Sequence, residues 1–457
     1  MTTNIAKIVT SILRPDNATV ETWMQWLELS TQQRLLLCCY ILECQQATLL
    51  ARVPQRSAIP TVGFDLPLPS HAESWEATTA HDWAVAIQQH AHTPTFVYEV
   101  PSSMAMQVYD TFQSSLLIAT HYNYFSNPAP YLSPAPFPAI DHLFDGSPIT
   151  RHHLLTAKLL QLIPVRALLA VSGESWILSE KVPSAQAFAS HRSTVRNWVS
   201  ALWTSAPDHS SNTIKEALKL AIEIAQHAMT VPTCALRLEI GADMGLYFAA
   251  LTIWAATVAA NSRLAAPQQP AGTSSQSHRY QTHSPLPTTR TSFPSTPTHF
   301  STTTPSASPT PGSLSIHAPP HYGSASPAPP ASPSPSHAAT AHAQGMQYSE
   351  MAMLAVSFLS NALCELELLG VVQPWPRDGA AWQQGCGALM RWVKMRLRNG
   401  VGAEGRDSVV SGTGLSMTSG GPTSAGCGVD GFGELLDGVL GVLEKMGGKG
   451  WEGWGFC

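Results

Sequence analysis

Two glycine repeats near the C-terminal end have the spacing of a dinucleotide-binding loop. They read Gly-x-Gly-x-x-Gly and run over Gly426, Gly428 and Gly431 and over Gly448, Gly450 and Gly453. Such a loop cradles a pyrophosphate only when it follows a strand and opens a helix. No strand pattern precedes the first repeat, and the second lies at the chain end. We therefore expect no nucleotide cofactor and no cofactor-binding residues.

One segment, AVSGESW, approaches the Gly-x-Ser-x-Gly elbow that exposes a nucleophilic serine. Gly173 and Ser175 fit that motif, but Ile177 stands where its second glycine belongs. The zinc-protease motif His-Glu-x-x-His does not occur in the sequence. We therefore predict that the chain is not an enzyme, and we assign no catalytic residues.

The thiols and imidazoles do not have the spacing of a metal site. The chain has 8 cysteines and no Cys-x-x-Cys pair, and His152 and His153 have no thiol or carboxylate at ligand spacing. Cys38, Cys39 and Cys44 fall in a helical pattern, where cysteine usually serves as a small apolar core residue. We expect no metal, and cysteines kept in a reducing compartment.

The overall charge is mild, at −5 over 457 residues, and gives no reason to expect the whole chain to coat a polyanion. One helical stripe is basic, and it consists of Arg391, Lys394 and Arg398, with Arg396 beside it. Such a stripe can contact phosphate, but it is more often a solvated helix face.

An uncharged apolar segment, residues 244–260, is at the short end of the roughly 17–25 residues that cross a bilayer. The N-terminal residues lack the apolar core of a secretory signal. We expect 244–260 to be a buried helix and expect no membrane partner. Membrane association through this helix is kept as an alternative.

Apolar residues recur at helical spacing along most of the chain, and strand signals are weak. The predicted class is all-α: a large irregular helical domain interrupted by a disordered insert rich in proline, serine and threonine. The expected parts are helical residues 1–264, a low-complexity linker 265–345, and a helical part 346–457 with a Gly/Ser-rich loop 399–429. The linker has too few large apolar residues to offset its ordering entropy.

The first long helix is predicted from about Asp16 to Leu50. Its apolar face is expected to include Trp23, Trp26, Leu27, Leu35, Cys38, Cys39 and Leu42. Arg34 interrupts this pattern, and Glu28 is its expected partner, either on the surface or as a buried ion pair.

A Leu-Pro-Leu-Pro run follows, and we call residues 66–71 the strap. Its prolines exclude helix and keep the backbone extended, so Leu66 and Leu68 point to the same side. We expect the strap to lay both leucines on the apolar surface before Trp75 restarts helical order. Four tryptophans are predicted core anchors rather than site residues: Trp26, Trp75, Trp176 and Trp254.

With these segments placed, the sequence resembles the regulatory, or middle-homology, domain of fungal-specific transcription factors, in the branch with two-Cys/two-His zinc fingers. The first matching cluster comprises Trp26, Glu28, Arg34, Leu66, Pro67, Leu68, Pro69, Trp75, Glu76 and Ala77. The second comprises ALLAVSGESWILSEKV, SHRSTVRNWVSAL and GLYFAALTIWA, and the third LRNGVG, GELLDGVLGVLEKM and a near-terminal WGF.

The resemblance implies a nuclear protein that controls RNA polymerase II transcription through contacts with the transcription machinery or other regulators, as a homo- or heterodimer if it dimerises. In that family DNA binding and zinc belong to an N-terminal finger module. Its cysteines and histidines are not present before Trp23, so we expect a truncated gene model or a lone regulatory domain. A helical ligand-sensing domain is the other alternative.

The linker carries Ser-Pro and Thr-Pro dipeptides that fit proline-directed phosphorylation, which adds charge and acceptor oxygens. They begin at Ser284, Thr296, Thr304, Ser308, Thr310, Ser326, Ser332 and Ser334. We predict phosphate on at least one of them, detectable by phosphopeptide mapping of the chain from cells. Full peptide coverage without a modified residue would contradict this and leave the linker as low-complexity sequence.

Overall fold

The computed structural model describes residues 18–49, 66–102, 108–122, 130–132, 136–137, 140–172, 184–203, 209–232, 236, 241–265, 337–367, 376, 378–402 and 441–445. Of this part of the chain 84% is helical, and it contains no strand. The predicted all-α class is confirmed.

Eleven α-helices are named among the described residues: α1 Val20–Leu49, α2 Ala72–Trp75, α3 Ala80–Gln89, α4 Thr111–His121, α5 Pro148–Leu162, α6 Val165–Ser172, α7 Ala185–Ser200, α8 His209–Thr230, α9 Gly241–Ala265, α10 His337–Glu367 and α11 Gly379–Gly402. Single 3₁₀ turns lie at Val97–Ser102, Pro130–Leu132, Asp141–Leu143 and Ala201–Trp203. Residues 441–445 are also helical.

The chain divides into two units, Met1–Ala266 with Ala341–Cys457, and Pro267–Thr340. All the described residues except 337–340 belong to the first unit, and those four form the first helical turn of α10.

Helix α9 lies at the centre of the main core and packs against α5, α6, α7, α8 and α11. Its sequence is apolar on every side, and Tyr247, Phe248, Leu251 and Trp254 are all nearly inaccessible to solvent. A helix that is apolar all round is stable in water only when neighbours cover each face. The expectation that 244–260 is buried is therefore confirmed, and so is Trp254 as a core anchor.

Helix α8 covers one side of α9 with an amphipathic stripe. Its apolar residues at helical spacing are buried: Leu218, Ala221, Ile222 and Ala225. Helices α5 and α6 meet at an 88° bend where Pro164 follows Ile163. Pro164 has no N–H to continue the α5 ladder, so the chain turns there and starts a new helix.

Two smaller apolar clusters support the N-terminal part. One joins α1, the strap, α4 and α5 through Leu37, Tyr40, Leu68, Leu117 and Tyr122. The other holds Trp26 of α1 against Trp83 of α3, with ring centroids 5.4 Å apart. Trp26 is fully buried and is confirmed as a core anchor.

The predicted face of α1 is wrong over its second half. Leu35 is 65% exposed and Leu36 63%, and Leu42, Cys38 and Cys39 are exposed as well. The buried stripe instead consists of Trp26, Ser30, Gln33, Leu37, Tyr40, Ile41, Cys44 and Ala47. Because Ser30 and Gln33 are polar, the buried face is not continuously apolar. The spacing of apolar residues therefore predicts that a different face of the helix is buried. Cys44 is buried as expected.

Several predicted boundaries also change. Helix α10 begins at His337, inside the predicted linker 265–345, and α11 runs to Gly402, into the predicted loop 399–429. The predicted helix after Trp75 is two helices, because the Thr79 side chain accepts a hydrogen bond from Asp82 N and caps α3 separately. The rest of the linker and of the loop lies outside the described residues.

Two glycines of α11 give a matched test of how closely α10 packs on it. A Cβ on Gly385 would lie 2.4 Å from Phe358 Cδ2 and 2.8 Å from Phe358 Cβ, whereas a Cβ on Gly387 meets nothing within 4 Å. We expect Gly385→Ala to lower the free energy of unfolding by about 1–3 kcal/mol through overpacking.

Gly387→Ala should raise the same free energy by about 0.5–1 kcal/mol, because alanine loses less backbone entropy in a helix. Urea unfolding of both variants measures the two effects. An equal change in the free energy of unfolding in the two variants would contradict the close packing of α10 on α11.

Candidate functional site

The strap is extended, and its backbone pairs with the segment before the Val97–Ser102 turn. Leu68 N donates to Thr95 O at 2.9 Å, and Val97 N donates to Leu66 O at 3.0 Å. These bonds flank an isolated antiparallel bridge between Pro67 and Phe96. The pairing suits the sequence, since Pro67 and Pro69 have no N–H to leave unsatisfied.

Both strap leucines face the apolar cluster beneath them. Leu68 is 8% exposed and belongs to that cluster, and Leu66 packs against it while remaining partly exposed. The prediction that the strap lies on the apolar surface, with both leucines on one side, is confirmed.

Side chains from α1 and α4 satisfy the remaining backbone groups of the strap and of its exit. Gln113 Nε2 donates to Pro69 O at 2.7 Å, and Arg34 Nη2 donates to Ser70 O at 2.7 Å. The Asp110 carboxylate accepts from Ala72 N at 2.6 Å, where α2 begins. Each bond replaces water at a partly or fully buried backbone group, which would otherwise be costly to leave unpaired.

Arg34 also packs between two aromatic rings. Its guanidinium carbon lies 4.9 Å from the centroid of Trp75 and 5.0 Å from that of Phe112. A cation over an aromatic face adds to the hydrogen bond to Ser70. Burial lowers the pKa of Arg34, and the nearby carboxylates of Asp110 and Glu76 oppose that shift.

The expected Arg34–Glu28 pair is therefore wrong. Glu28 is exposed on α1, and the Arg34 guanidinium reaches across to the strap instead. A planar guanidinium has several donors and can stack, so a backbone carbonyl between two rings suits it as well as a carboxylate does. Trp75, predicted to be a core anchor, is half-buried, with Arg34 over its ring.

Asp110 links the starts of two helices. One of its carboxylate oxygens accepts from Gln113 N at 2.8 Å, and Gln113 Oε1 accepts from Asp110 N at 3.1 Å, so the pair forms a capping box on α4. The other oxygen holds Ala72 N at the start of α2. Displacing α2 therefore disturbs the cap of α4, and displacing α4 removes the acceptor for Ala72 N at the start of α2.

A cluster of metal-ligand type lies where the strap ends. One donor atom from each of His71, Glu73 and His90 lies within 4.8 Å of the other two. His90 Nε2 is 2.9 Å from Glu73 Oε2, and the two imidazole rings stack with centroids 4.0 Å apart and planes 21° apart. His71 caps α2 by accepting from Glu73 N at 3.3 Å through Nδ1, and His90 is the C-cap of α3.

The charges around this cluster favour a neutral His71 and an ionised Glu73. Partial burial lowers the pKa of His71, assisted by His90 and Arg34 and opposed by Asp110 and Glu73. The hydrogen bond from His90 lowers the pKa of Glu73. The cluster therefore offers the neutral imidazole of His71 and the carboxylate of Glu73, which are the forms that bind metal.

The other predicted features do not gather at this site. His152 and His153 are buried in α5, and burial lowers the pKa of His153 to about 4. In the basic stripe, Lys394 pairs with Glu444 at 3.1 Å and Arg396 Nη2 donates to Val231 O at 2.7 Å. These two cations hold parts of the fold together, whereas Arg391 is exposed.

Some predictions fall outside the described residues. They concern Trp176, the AVSGESW motif from Gly173 onward, the Arg398 side chain and both glycine repeats.

Several site residues were missed by sequence reasoning. Asp110 and Gln113 carry a detectable signal, because an N-cap residue followed three positions later by Gln is a capping-box pattern. No sequence pattern joins His71 to His90, because the turn between α2 and α3 brings them together.

Comparison of the chain with protein-family models, with curated proteins and with solved structures finds no match. The resemblance to fungal transcription factors therefore depends on the residues quoted above and stays a prediction.

Replacing Arg34 tests the contacts that hold the strap. We expect Arg34→Ala to lower the free energy of unfolding by about 2–3 kcal/mol, because Ser70 O loses its donor and two rings lose their cation. Arg34→Lys should have an intermediate effect, since an ammonium cannot stack as a plane. Chemical denaturation followed by tryptophan fluorescence measures both.

Arg151→Ala is the matched control. Arg151 is 60% exposed and pairs with Glu223 at 2.9 Å on the surface, where an ion pair contributes less than about 1 kcal/mol. An Arg34→Ala chain as stable as this control would refute the role assigned to Arg34.

Proposed function

We propose that the chain is a regulatory domain of a fungal-type transcription factor and that it controls RNA polymerase II transcription in the nucleus by protein contacts rather than by catalysis. One observation carries the proposal. Three parts of the first matching cluster, Arg34, the strap and Trp75, form one unit with direct hydrogen bonds and ring contacts. A shared motif of this kind is expected when it encodes a shared packing arrangement.

The surface of α1 supports interaction as the mode of action. One side of this helix fixes the strap through Arg34, while Leu35, Leu36 and Leu42 on other sides are exposed with Cys38 and Cys39. Adjacent exposed apolar side chains commonly mark a contact surface for another protein. In the proposed function this face binds the transcription machinery or another regulator.

The burial of helix α9 is relevant to the alternative in which the chain associates with a membrane through this helix. Met244–Arg263 is long and apolar enough to cross a membrane, and 89% of its 18-residue apolar window is buried inside the described structure. The bent pair Pro148–Leu162 and Val165–Ser172 passes the same length and composition test only if it is counted as one span. A helix already covered by protein has little apolar surface for lipid, which favours a core role.

A tethering experiment tests the proposed function. The chain is fused to a heterologous DNA-binding domain in a fungal cell that carries a reporter with the cognate sites. We expect the fusion to change reporter expression several-fold relative to the DNA-binding domain alone. We expect Leu35→Glu/Leu36→Glu to abolish that change, because the charges disrupt the apolar face of α1.

Leu132→Glu is the control, because Leu132 is 72% exposed and lies in a different part of the chain, in the Pro130–Leu132 turn. All fusions are checked for equal abundance. A wild-type fusion with no effect would reject the proposal, and equal activity of all three fusions would reject α1 as the contact surface.

A further inference from the structure

We propose that His71, Glu73 and His90 bind a divalent transition metal of the zinc class and that the metal joins the exit of the strap to the end of α3. The proposal concerns the purified chain and does not depend on the function proposed above. It also differs from the zinc of the finger module, because these ligands lie within the helical domain.

The donor set suits this class of ion. Two imidazole nitrogens and one carboxylate oxygen are ligands that zinc accepts, and three protein ligands leave a fourth tetrahedral position for water. Hard cations such as magnesium and calcium prefer oxygen ligands, so the two imidazoles discriminate against them.

The three donor atoms lie within 4.8 Å of one another, somewhat wider at most than a metal requires. Zinc bonds of about 2.0–2.2 Å in a tetrahedron place two ligand atoms roughly 3.3–3.6 Å apart. His90 Nε2 and Glu73 Oε2 are 2.9 Å apart and share a hydrogen bond. A metal would replace the proton between them, and the two atoms would separate by a few tenths of an ångström.

His71 can bind through Nδ1. Because this nitrogen accepts from Glu73 N, it carries the lone pair, and the ring proton is on Nε2. The contact is long for a hydrogen bond, at 3.3 Å, so exchanging it for a metal bond loses little. The ring lies against His90 with centroids 4.0 Å apart and planes 21° apart. Because each nitrogen lone pair lies in the plane of its ring, one imidazole must rotate for both nitrogens to bind one ion.

The surrounding structure holds the backbone beside two of the ligands in place before a metal arrives. Asp110 fixes Ala72, the residue after His71, and His90 N donates to Ala86 O at the end of α3. Preorganisation of this kind reduces the entropy lost on binding. Two elements that otherwise meet through a hydrogen bond and a ring stack would then share a coordinated ion.

The neighbouring charges set the pH dependence. Glu73 and Asp110 attract a cation, whereas Arg34 repels it, and His71 and His90 must be neutral to bind. Protons compete with the metal for imidazole and carboxylate ligands, so zinc affinity should fall as the pH is lowered.

Zinc titration of the untagged chain, with melting temperature and binding heat as readouts, tests the proposal. We expect zinc to raise the melting temperature and magnesium to leave it unchanged. His71→Gln and His90→Gln should each weaken zinc binding by at least about tenfold, because losing a ligand costs no less than losing an outer-shell partner. Cobalt should give a tetrahedral absorption band that both variants lose.

His92→Gln is the matched control, since His92 is exposed and lies two residues beyond His90. This variant controls for weak zinc binding by histidines outside the cluster, since the chain has 18 histidines. Glu73→Gln serves as a further variant if a histidine variant unfolds, because the Glu73 side chain is 60% exposed. Equal zinc affinity and equal cobalt spectra in wild type, Glu73→Gln and His92→Gln would overturn the proposal.

Discussion

The N-terminal part of the fold depends on how the backbone of a proline-bearing strap is satisfied while it crosses an apolar surface. An extended segment cannot pair its own carbonyls and amides, and the interior offers it no water. The solution uses side chains from helices that are remote in sequence: Gln113 donates to Pro69 O, Arg34 donates to Ser70 O, and Asp110 accepts from Ala72 N. Without these partners, burying the leucines of the strap would leave backbone groups unpaired at a cost comparable to the apolar gain.

The contacts of Arg34 connect the proposed metal site to the exposed face of α1, which is the proposed partner-binding surface. The His71–Glu73–His90 cluster lies at the strap exit, and Arg34 links that exit to α1. Leu35 and Leu36, the next two residues of α1, are exposed on it. A change in the position of α2 would therefore reach a candidate interaction surface through one side chain. In the proposed function, such a path would let an effector act by binding one arrangement better than another.

The sequence predicted the features that depend on composition and period. The all-α class, the buried face of α8, the burial of α9 and the course of the strap follow from apolar spacing, uncharged length and proline chemistry. These signals are local, since each concerns residues within one element. The resemblance added the grouping of Arg34, the strap and Trp75, which lie in contact.

The predictions that were wrong concern side chains whose contacts depend on how separate helices pack together. The buried face of α1 includes Ser30 and Gln33, so the apolar pattern indicates the wrong side. Arg34 takes a backbone carbonyl 36 residues away rather than the carboxylate of Glu28 on its own helix. His71 and His90 converge only after Thr79 caps α3 and the chain turns between α2 and α3. No spacing rule within one element encodes such contacts.

Hydrogen exchange shows whether the strap is part of the packed structure. We expect the amides of Leu68, Ala72 and Val97 to exchange as slowly as those in the middle of α4, since each is bonded within the fold. Exchange of these three amides at the rate of an unstructured peptide, with α4 still protected, would show that the strap is not part of the packed structure.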